Sequence, residues 1–133
     1  MGIFGFFKKK NKQKISLLSE ELESLATASD EIFTNTSKDL LKNFDNYITI
    51  AETESESLSI ELDDNLEQQN RIKYVLTNLS KPDSWQERHY LLKLDRLKLH
   101  GNNLRTRIEI YSQNIKVYLN LISKVQDIRA MRL

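Results

Sequence analysis

The clearest break in this chain is the stretch Leu79-Ser-Lys-Pro-Asp-Ser84. Pro82 lacks a backbone hydrogen-bond donor and disfavours a helical conformation of the residue before it, so a helix has to end here. Ser84 stands three residues before Glu87, the spacing of a capping box, in which a serine side chain accepts a hydrogen bond from the first helical turn. The stretch therefore predicts a turn between two helices. Trp85, directly after it, is expected to cover the end of the hairpin.

Helix-breaking residues are rare on both sides of this turn. The 133 residues include three glycines and one proline, and no cysteine. Together with abundant Leu, Ile, Lys and Glu, this composition is typical of an almost wholly helical chain. The lack of cysteine excludes disulfides and thiolate metal sites and fits a reducing compartment. Uninterrupted apolar stretches of about 18 residues, which would predict a membrane span, are absent from the sequence.

The segment after the turn carries a sustained heptad pattern. Its apolar residues alternate at spacings of four and three, as in a coiled-coil seam. Gly101 falls on the seam and allows two interpretations, a helix break or a close approach of the partner backbone. Because the pattern keeps its phase across Gly101, we predict a continuous helix. The seam residues are Tyr90, Leu94, Leu97, Gly101, Leu104, Ile108, Tyr111, Ile115, Tyr118, Ile122 and Val125.

A second apolar stripe runs along the opposite side of this helix. Leu92 and Leu94, for example, lie about 200° apart around a helix of 3.6 residues per turn. One neighbouring helix cannot cover both sides, so the stripe predicts a face for a second copy of the chain or for another helical protein. This predicted partner face consists of Leu92, Leu99, Ile110, Val117, Leu121 and Ile128.

The segment before the turn predicts a less regular helix over residues 31–80. Residues 27–37 are rich in Ser, Thr, Asn and Asp, which compete for backbone hydrogen bonds, so we expect a kink or break there. Antiparallel packing about the turn sets the last residue opposite residue 31. Residues 15–30 are then expected to extend beyond the hairpin as a short linker helix; the alternative is that they fold back and cover the second stripe. The apolar residues of the long helix are Leu40, Phe44, Tyr47, Ala51, Leu58, Leu62, Leu66, Ile72, Leu76 and Leu79.

Charge is segregated along the chain. Residues 15–70 contain fourteen acidic residues and two lysines, whereas residues 71–133 contain thirteen basic and five acidic residues. Opposite charge on two segments of similar length favours packing side by side and helps to select the register. The antiparallel register places Glu31 near Arg132. Because the acidic segment neutralises much of the basic one, we do not expect nucleic acid to be a partner.

Residue patterns that carry catalysis are weak in this sequence. His89 and His100 lie about 16 Å apart along a helix and cannot share a metal ion. The carboxylates of Asp63, Asp64 and Glu67 are interpreted as a solvated acidic face. A glycine-rich phosphate-binding segment is absent from the sequence. We therefore predict a non-enzymatic protein without a metal or cofactor.

The N-terminal peptide, residues 1–14, joins an apolar plug to a lysine cluster and contains no acidic residue. Aromatic side chains can enter the headgroup boundary of an anionic bilayer while each lysine adds about 1 kcal/mol of attraction. The alternative interpretation is a solvated tail. The pattern fits neither a secretory signal, whose charge precedes its apolar core, nor myristoylation. The predicted membrane-contact residues are Ile3, Phe4, Phe6, Phe7, Lys8, Lys9, Lys10, Lys12 and Lys14.

An apolar-basic peptide that starts Met1-Gly-Ile-Phe4 and leads into a long helical hairpin resembles the general plan of membrane-remodelling proteins of the ESCRT-III and phage-shock kind. The resemblance implies a role at a membrane surface. The chain departs from that plan in its length, which is short, and in its first hairpin arm, which is acidic where a basic arm would be expected.

The predicted fold is all-α, a long antiparallel helical hairpin of coiled-coil type with a short extra N-terminal helix, assembled into an oligomeric helical bundle. Its segments are a membrane-contact peptide (1–14), a linker helix (15–30), an acidic helix (31–80), a turn (81–84) and a basic helix (85–133). The expected function is that of a cytoplasmic scaffold or membrane-shaping protein, peripheral on the inner membrane face and self-assembling. The alternative is a soluble helical adaptor subunit of a larger machine, which binds a partner protein through the second helix.

Overall fold

The structure, a computed structural model, describes residues 22–80 and 84–132. Of these residues 93% are helical and none lies in a strand, which confirms the all-α prediction. Two long helices, α1 (Asp30–Thr77) and α2 (Trp85–Arg132), pack against each other as a helical hairpin. One further helical turn covers residues 22–25. The coiled-coil type of the packing stays a prediction.

Serine side chains cap the beginnings of both long helices. Ser29 Oγ accepts a hydrogen bond from the Ile32 N–H at 3.4 Å, and Ser84 Oγ accepts one from the Glu87 N–H at 3.4 Å. Acidic residues occupy the first turn of each helix, where the helix dipole favours negative charge. The helix start predicted at Ser84 is confirmed. The break expected before α1 is also confirmed, as a short interruption over residues 26–29.

Contacts divide the chain into two compact units, and each unit contains part of both long helices. The terminal unit consists of the described residues up to Glu52 and those from Ile110 onward. The turn unit consists of Thr53–Glu109. The helices are antiparallel within each unit, and the two cores differ in character.

The terminal unit has an aromatic and aliphatic core. Phe44 and Val125 are each 1% exposed, and the Tyr118 ring lies 6.0 Å from the Phe44 ring and 5.2 Å from the Tyr47 ring, measured between centroids. The register predicted about the turn places Tyr118 opposite residue 46, so these contacts confirm it here. The buried residues of this core are Leu22, Leu25, Phe33, Leu40, Phe44, Tyr118, Leu121 and Val125.

Residues 22–25 fold back onto the hairpin. Leu22 and Leu25 are each 3% exposed and lie in the same core as Leu121. Burying a leucine side chain contributes about 1.5–3 kcal/mol, which stabilises the folded-back arrangement. The prediction that residues 15–30 extend beyond the hairpin is therefore wrong for their described part.

Arg132 fastens this folded-back turn to the end of α2. Its Nη1 donates a hydrogen bond to the Leu25 carbonyl oxygen at 3.0 Å, and its Nη2 lies 2.9 Å from the Asp30 carboxylate. The guanidinium carbon also lies 4.5 Å from the centre of the Phe33 ring, a cation–π contact. Arg132 thus pairs with Asp30, one residue away from the Glu31 partner that the register predicted.

The turn unit combines apolar packing with polar side chains of α1 that fill the space beside Gly101. Helix α2 is continuous through Gly101, as predicted. The Leu104 side chain, on the next turn of the seam, is fully buried. A Cβ atom added to Gly101 would lie 2.8 Å from Asn65 Oδ1 and 3.2 Å from Gln69 Nε2, so the glycine leaves room for these two side chains of α1. The predicted close approach of the partner backbone at the glycine stays a prediction.

Candidate interaction surfaces

The predicted membrane-contact residues lie outside the described part of the chain, which starts at Leu22. Leu22 itself is buried in the terminal unit, so residues 15–21 are all that separates the N-terminal peptide from a packed core. Fully extended, a segment of that length spans at most about 25 Å. The length of this segment therefore limits how far the N-terminal peptide can lie from Leu22. Within the described ranges, none of the helices is long and apolar enough to cross a membrane.

The predicted partner face of α2 divides between the two units. In the terminal unit, Leu121 is 3% exposed, and Ile110, Val117 and Ile128 are half-buried. Val117 and Ile128 pack against the terminal core, which includes Leu22 and Leu25. The chain thus covers this part of the stripe with its own N-terminal turn. Folding back of residues 15–30 was the alternative to their extension beyond the hairpin. The sequence could not decide between the two, because leucines at 22 and 25 show an apolar side without showing its neighbour.

A cleft of about 430 Å³ lies in the terminal unit where the folded-back turn meets the last turns of α2. Both apolar and charged side chains line it, and Glu23 and Asp127 give it acidic groups beside a single lysine. The lining residues are Leu22, Glu23, Ala26, Lys124, Asp127 and Ile128.

In the turn unit, the same side of α2 stays exposed. Trp85 is 69% exposed, Leu92 53% and Leu99 64%. Residues seven apart lie within about 20° of each other around a helix, so these three side chains form one row about 21 Å long. We call them the outer strip. The expectation that Trp85 covers the end of the hairpin is wrong, since most of its side chain is exposed. Among the described residues, the His89 ring lies 6.5 Å from the Trp85 ring, between centroids.

Buried amide side chains form a polar layer between the helices of the turn unit. Asn65 and Gln69 are 3% and 6% exposed. Asn65 Nδ2 donates to the Leu97 carbonyl oxygen at 3.0 Å, and Gln69 Nε2 donates to Asn65 Oδ1 at 2.6 Å. Because a shift along the helix would leave these amides without partners in an apolar surrounding, the layer favours one register.

Metal-binding geometry does not occur among residues 22–80 and 84–132, which contain no group of three or more potential ligands. His100 Nε2 lies 3.1 Å from Glu61 Oε1 in an exposed contact between the helices, so this histidine has a carboxylate neighbour. His89 makes ring contacts with Trp85 and Tyr90. Both histidines therefore lie among ordinary surface contacts.

Alkaline pH is expected to destabilise the terminal unit through Tyr118. Burial raises the pKa of the Tyr118 phenol above its ordinary value of 10.0, and the nearby Tyr47 raises it further. The folded state holds this proton more tightly than the unfolded state, so the stabilisation is complete below about pH 10 and is lost as pH rises above it.

Urea unfolding at several pH values between about 7 and 11 measures this dependence. The free energy of unfolding should fall less steeply with pH in Tyr118→Phe than in the wild type. Tyr74→Phe is the control, because Tyr74 is 72% exposed and this variant should follow the wild type. Equal slopes for Tyr118→Phe and the wild type would contradict the assignment.

No protein-family model, curated protein or solved structure matches this chain. Its function is therefore inferred from its own surfaces. Two of these carry most information, the apolar-basic N-terminal peptide and the outer strip of α2.

Proposed function

We propose that the protein is a non-enzymatic helical scaffold, or membrane-shaping protein, that contacts an anionic membrane surface through residues 1–14 and self-assembles through α2. It would act in the cytoplasm on the inner membrane face. The observation that carries the proposal is the N-terminal sequence itself, in which Phe4, Phe6 and Phe7 precede five lysines with no acidic residue. Aromatic insertion and lysine attraction together give weak, reversible binding to an anionic surface.

The described structure supports this proposal through the short tether. Leu22 and Leu25 are packed into the hairpin core, and Arg132 fastens the turn that follows them. A peptide joined to the core by residues 15–21 alone holds the terminal unit close to any surface that it binds. Membrane contact through residues 1–14 would thus also hold the hairpin near the membrane surface.

Co-sedimentation with liposomes tests the membrane contact. The full chain should pellet with vesicles that contain about 30% phosphatidylserine, and less in high salt, which screens the lysines. Replacing Phe4, Phe6 and Phe7 by Ser should abolish pelleting even at low salt, because the inserted rings are lost. The control replaces the exposed Ile60 and Tyr74 by Ser and should pellet like the wild type. Equal pelleting of the triple variant would reject insertion.

A soluble adaptor is the second candidate function, and the outer strip favours it. Trp85, Leu92 and Leu99 would suit a helix of a larger assembly, because exposed apolar strips on helices are association surfaces. An adaptor would not depend on residues 1–14 for its location. Chain lacking residues 1–14 should then keep the cellular distribution of the full chain, whereas a membrane scaffold should lose its membrane fraction.

A further inference from the structure

Arg132 contacts the interruption that separates the folded-back turn from α1. In an unbroken helix the carbonyl oxygens of Leu25 and Ala26 would accept hydrogen bonds from the N–H groups four residues further on. The interruption removes both of these bonds, although the Ala28 N–H donates to the Leu25 oxygen at 3.3 Å. Arg132 Nη1 donates to the same two oxygens, at 3.0 Å to Leu25 and 3.2 Å to Ala26. The end of α2 thus replaces the helical hydrogen bonds that the interruption removes.

The residues of the interruption do not themselves prevent a helix. Positions 26–29 read Ala-Thr-Ala-Ser and contain neither glycine nor proline. Alanine is the strongest helix former, and serine and threonine weaken a helix without breaking it. Tertiary contacts therefore decide between a folded-back and a continuous helix here. These contacts are the hydrogen bonds of Arg132 and the burial of Leu22 and Leu25, each 3% exposed.

A continuous helix through these positions would carry the folded-back turn away from the hairpin. Leu22 precedes Leu40 by eighteen residues, which is five full turns, so it would extend the packed side of α1. It would lie beyond the end of α2, because the last turn of α2 lies beside Asp30, where Arg132 pairs with it. Leu121, which is 3% exposed in the same core as the folded-back turn, would then lose its cover. Straightening would thus open the terminal part of the predicted partner face.

We propose that the interruption before α1 is a conformational switch and that Arg132 holds it in the folded-back state. In this state the chain covers the terminal part of its own partner face. In the straight state, residues 22–29 continue α1 and the Leu121 side chain becomes accessible. The switch therefore controls whether this part of α2 can take part in association. It goes beyond the proposed function, since it involves only described residues and would serve a membrane scaffold and a soluble adaptor alike.

Thiol labelling tests whether Arg132 holds the folded-back state. The chain has no cysteine, so Leu121→Cys introduces the only thiol, at a position that the folded-back turn covers. Its rate of labelling by iodoacetamide follows the population of the open state. Adding Arg132→Ala removes the charge-assisted hydrogen bonds to the two carbonyl oxygens and should raise this rate at least about tenfold. An unchanged rate would overturn the proposal.

A thiol in the turn unit separates local opening from unfolding of the chain. Leu104 is 0% exposed, so Leu104→Cys is labelled only when the turn unit opens. Its labelling should be equally slow with and without Arg132→Ala, and circular dichroism should show the same helix content. An equal increase at both thiols would mean that Arg132→Ala destabilises the whole chain, and it would reject a local switch.

A proline at position 30 tests whether the opening is a straightening of the helix. Asp30 is the first residue of α1, where proline is well tolerated, whereas proline inside a longer helix would clash with the carbonyl group four residues before it. Asp30→Pro therefore permits the folded-back state and excludes the straight one.

Adding Asp30→Pro to the Arg132→Ala, Leu121→Cys chain should return labelling to the slow rate. The matched control is Asp30→Ala, which removes the same carboxylate without blocking the helix, and labelling should stay fast. The Asp30 carboxylate is fully exposed, so its loss alone has little effect. Fast labelling with Asp30→Pro would show that the folded-back turn detaches without straightening, and it would reject the switch.

Discussion

Replacing Phe44 by Ala is expected to lower the free energy of unfolding by about 3–5 kcal/mol, the usual cost of truncating a buried phenylalanine. Phe44 is 1% exposed, and its ring lies 6.0 Å from the Tyr118 ring across the helix pair. Truncation would remove both the apolar burial and this aromatic contact, and would leave a cavity that rigid helices close only in part. The large effect follows from the position of Phe44 at the centre of the terminal unit.

Urea unfolding followed by circular dichroism measures this loss. Ile32→Ala on the same helix is the matched control, because Ile32 is 57% exposed and its truncation should change the free energy of unfolding by no more than about 0.5 kcal/mol. A loss below about 1 kcal/mol for Phe44→Ala would mean that the terminal unit is not packed around this ring.

The long helices were predictable because their ends and their packed sides are encoded locally. Ser84 and Glu87 define a helix start at the right spacing, and the structure has the Ser84 hydroxyl on the Glu87 N–H. The heptad residues Leu94, Leu104 and Tyr111 are all buried, as the seam requires. Periodicity indicates which side of each helix is packed, and the short turn between the helices makes them antiparallel neighbours.

Which element covers the second side of α2 could not be predicted in the same way. The stripe shows that Leu121 and Leu99 both need cover, but its spacing does not name the covering element. In the structure Leu121 is 3% exposed beside Leu22 and Leu25, whereas Leu99 is 64% exposed. The difference depends on where a short N-terminal turn folds back, which is a tertiary contact between residues about a hundred positions apart. Such contacts leave no local periodic signal.

The sequence contains a signal for the polar layer, the spacing of seven residues along α1, but neighbouring apolar residues were assigned to the packed side instead. Counting by sevens from Ala51 through Leu58 places Asn65, and not Leu66, on the packed side of α1. Leu66 was assigned to the packed side because apolar residues are expected in a seam. In the structure Leu66 is half-buried, whereas Asn65 is 3% exposed. Gly101 was predicted to admit the partner backbone, but in the structure the space of its missing side chain is filled by the Asn65 amide.

The effect of Gly101→Ala on the free energy of unfolding is expected to change sign with the residue at position 65. In the wild type, the new Cβ would lie 2.8 Å from Asn65 Oδ1. Asn65 cannot move away cheaply, because it donates to the Leu97 carbonyl oxygen and accepts from Gln69 inside the interface. Overpacking of this kind costs about 1–3 kcal/mol. The substitution should therefore destabilise the wild type, although alanine is intrinsically the better helix former.

In an Asn65→Ala background the same substitution should stabilise the protein. The obstructing Asn65 amide is gone. The other close neighbour, Gln69 Nε2 at 3.2 Å from the added Cβ, has lost its Asn65 acceptor and lies at the end of a flexible side chain that can shift by a few tenths of an ångström. The intrinsic preference for alanine over glycine in a helix then contributes about 0.5–1 kcal/mol. Urea unfolding of the wild type, both single variants and the double variant gives the coupling free energy between the two positions. We expect a coupling free energy of about 1.5–4 kcal/mol, the difference between the loss in the wild type and the gain in the Asn65→Ala background. A coupling below about 0.5 kcal/mol would show that the helices do not approach at Gly101, because distant positions act additively.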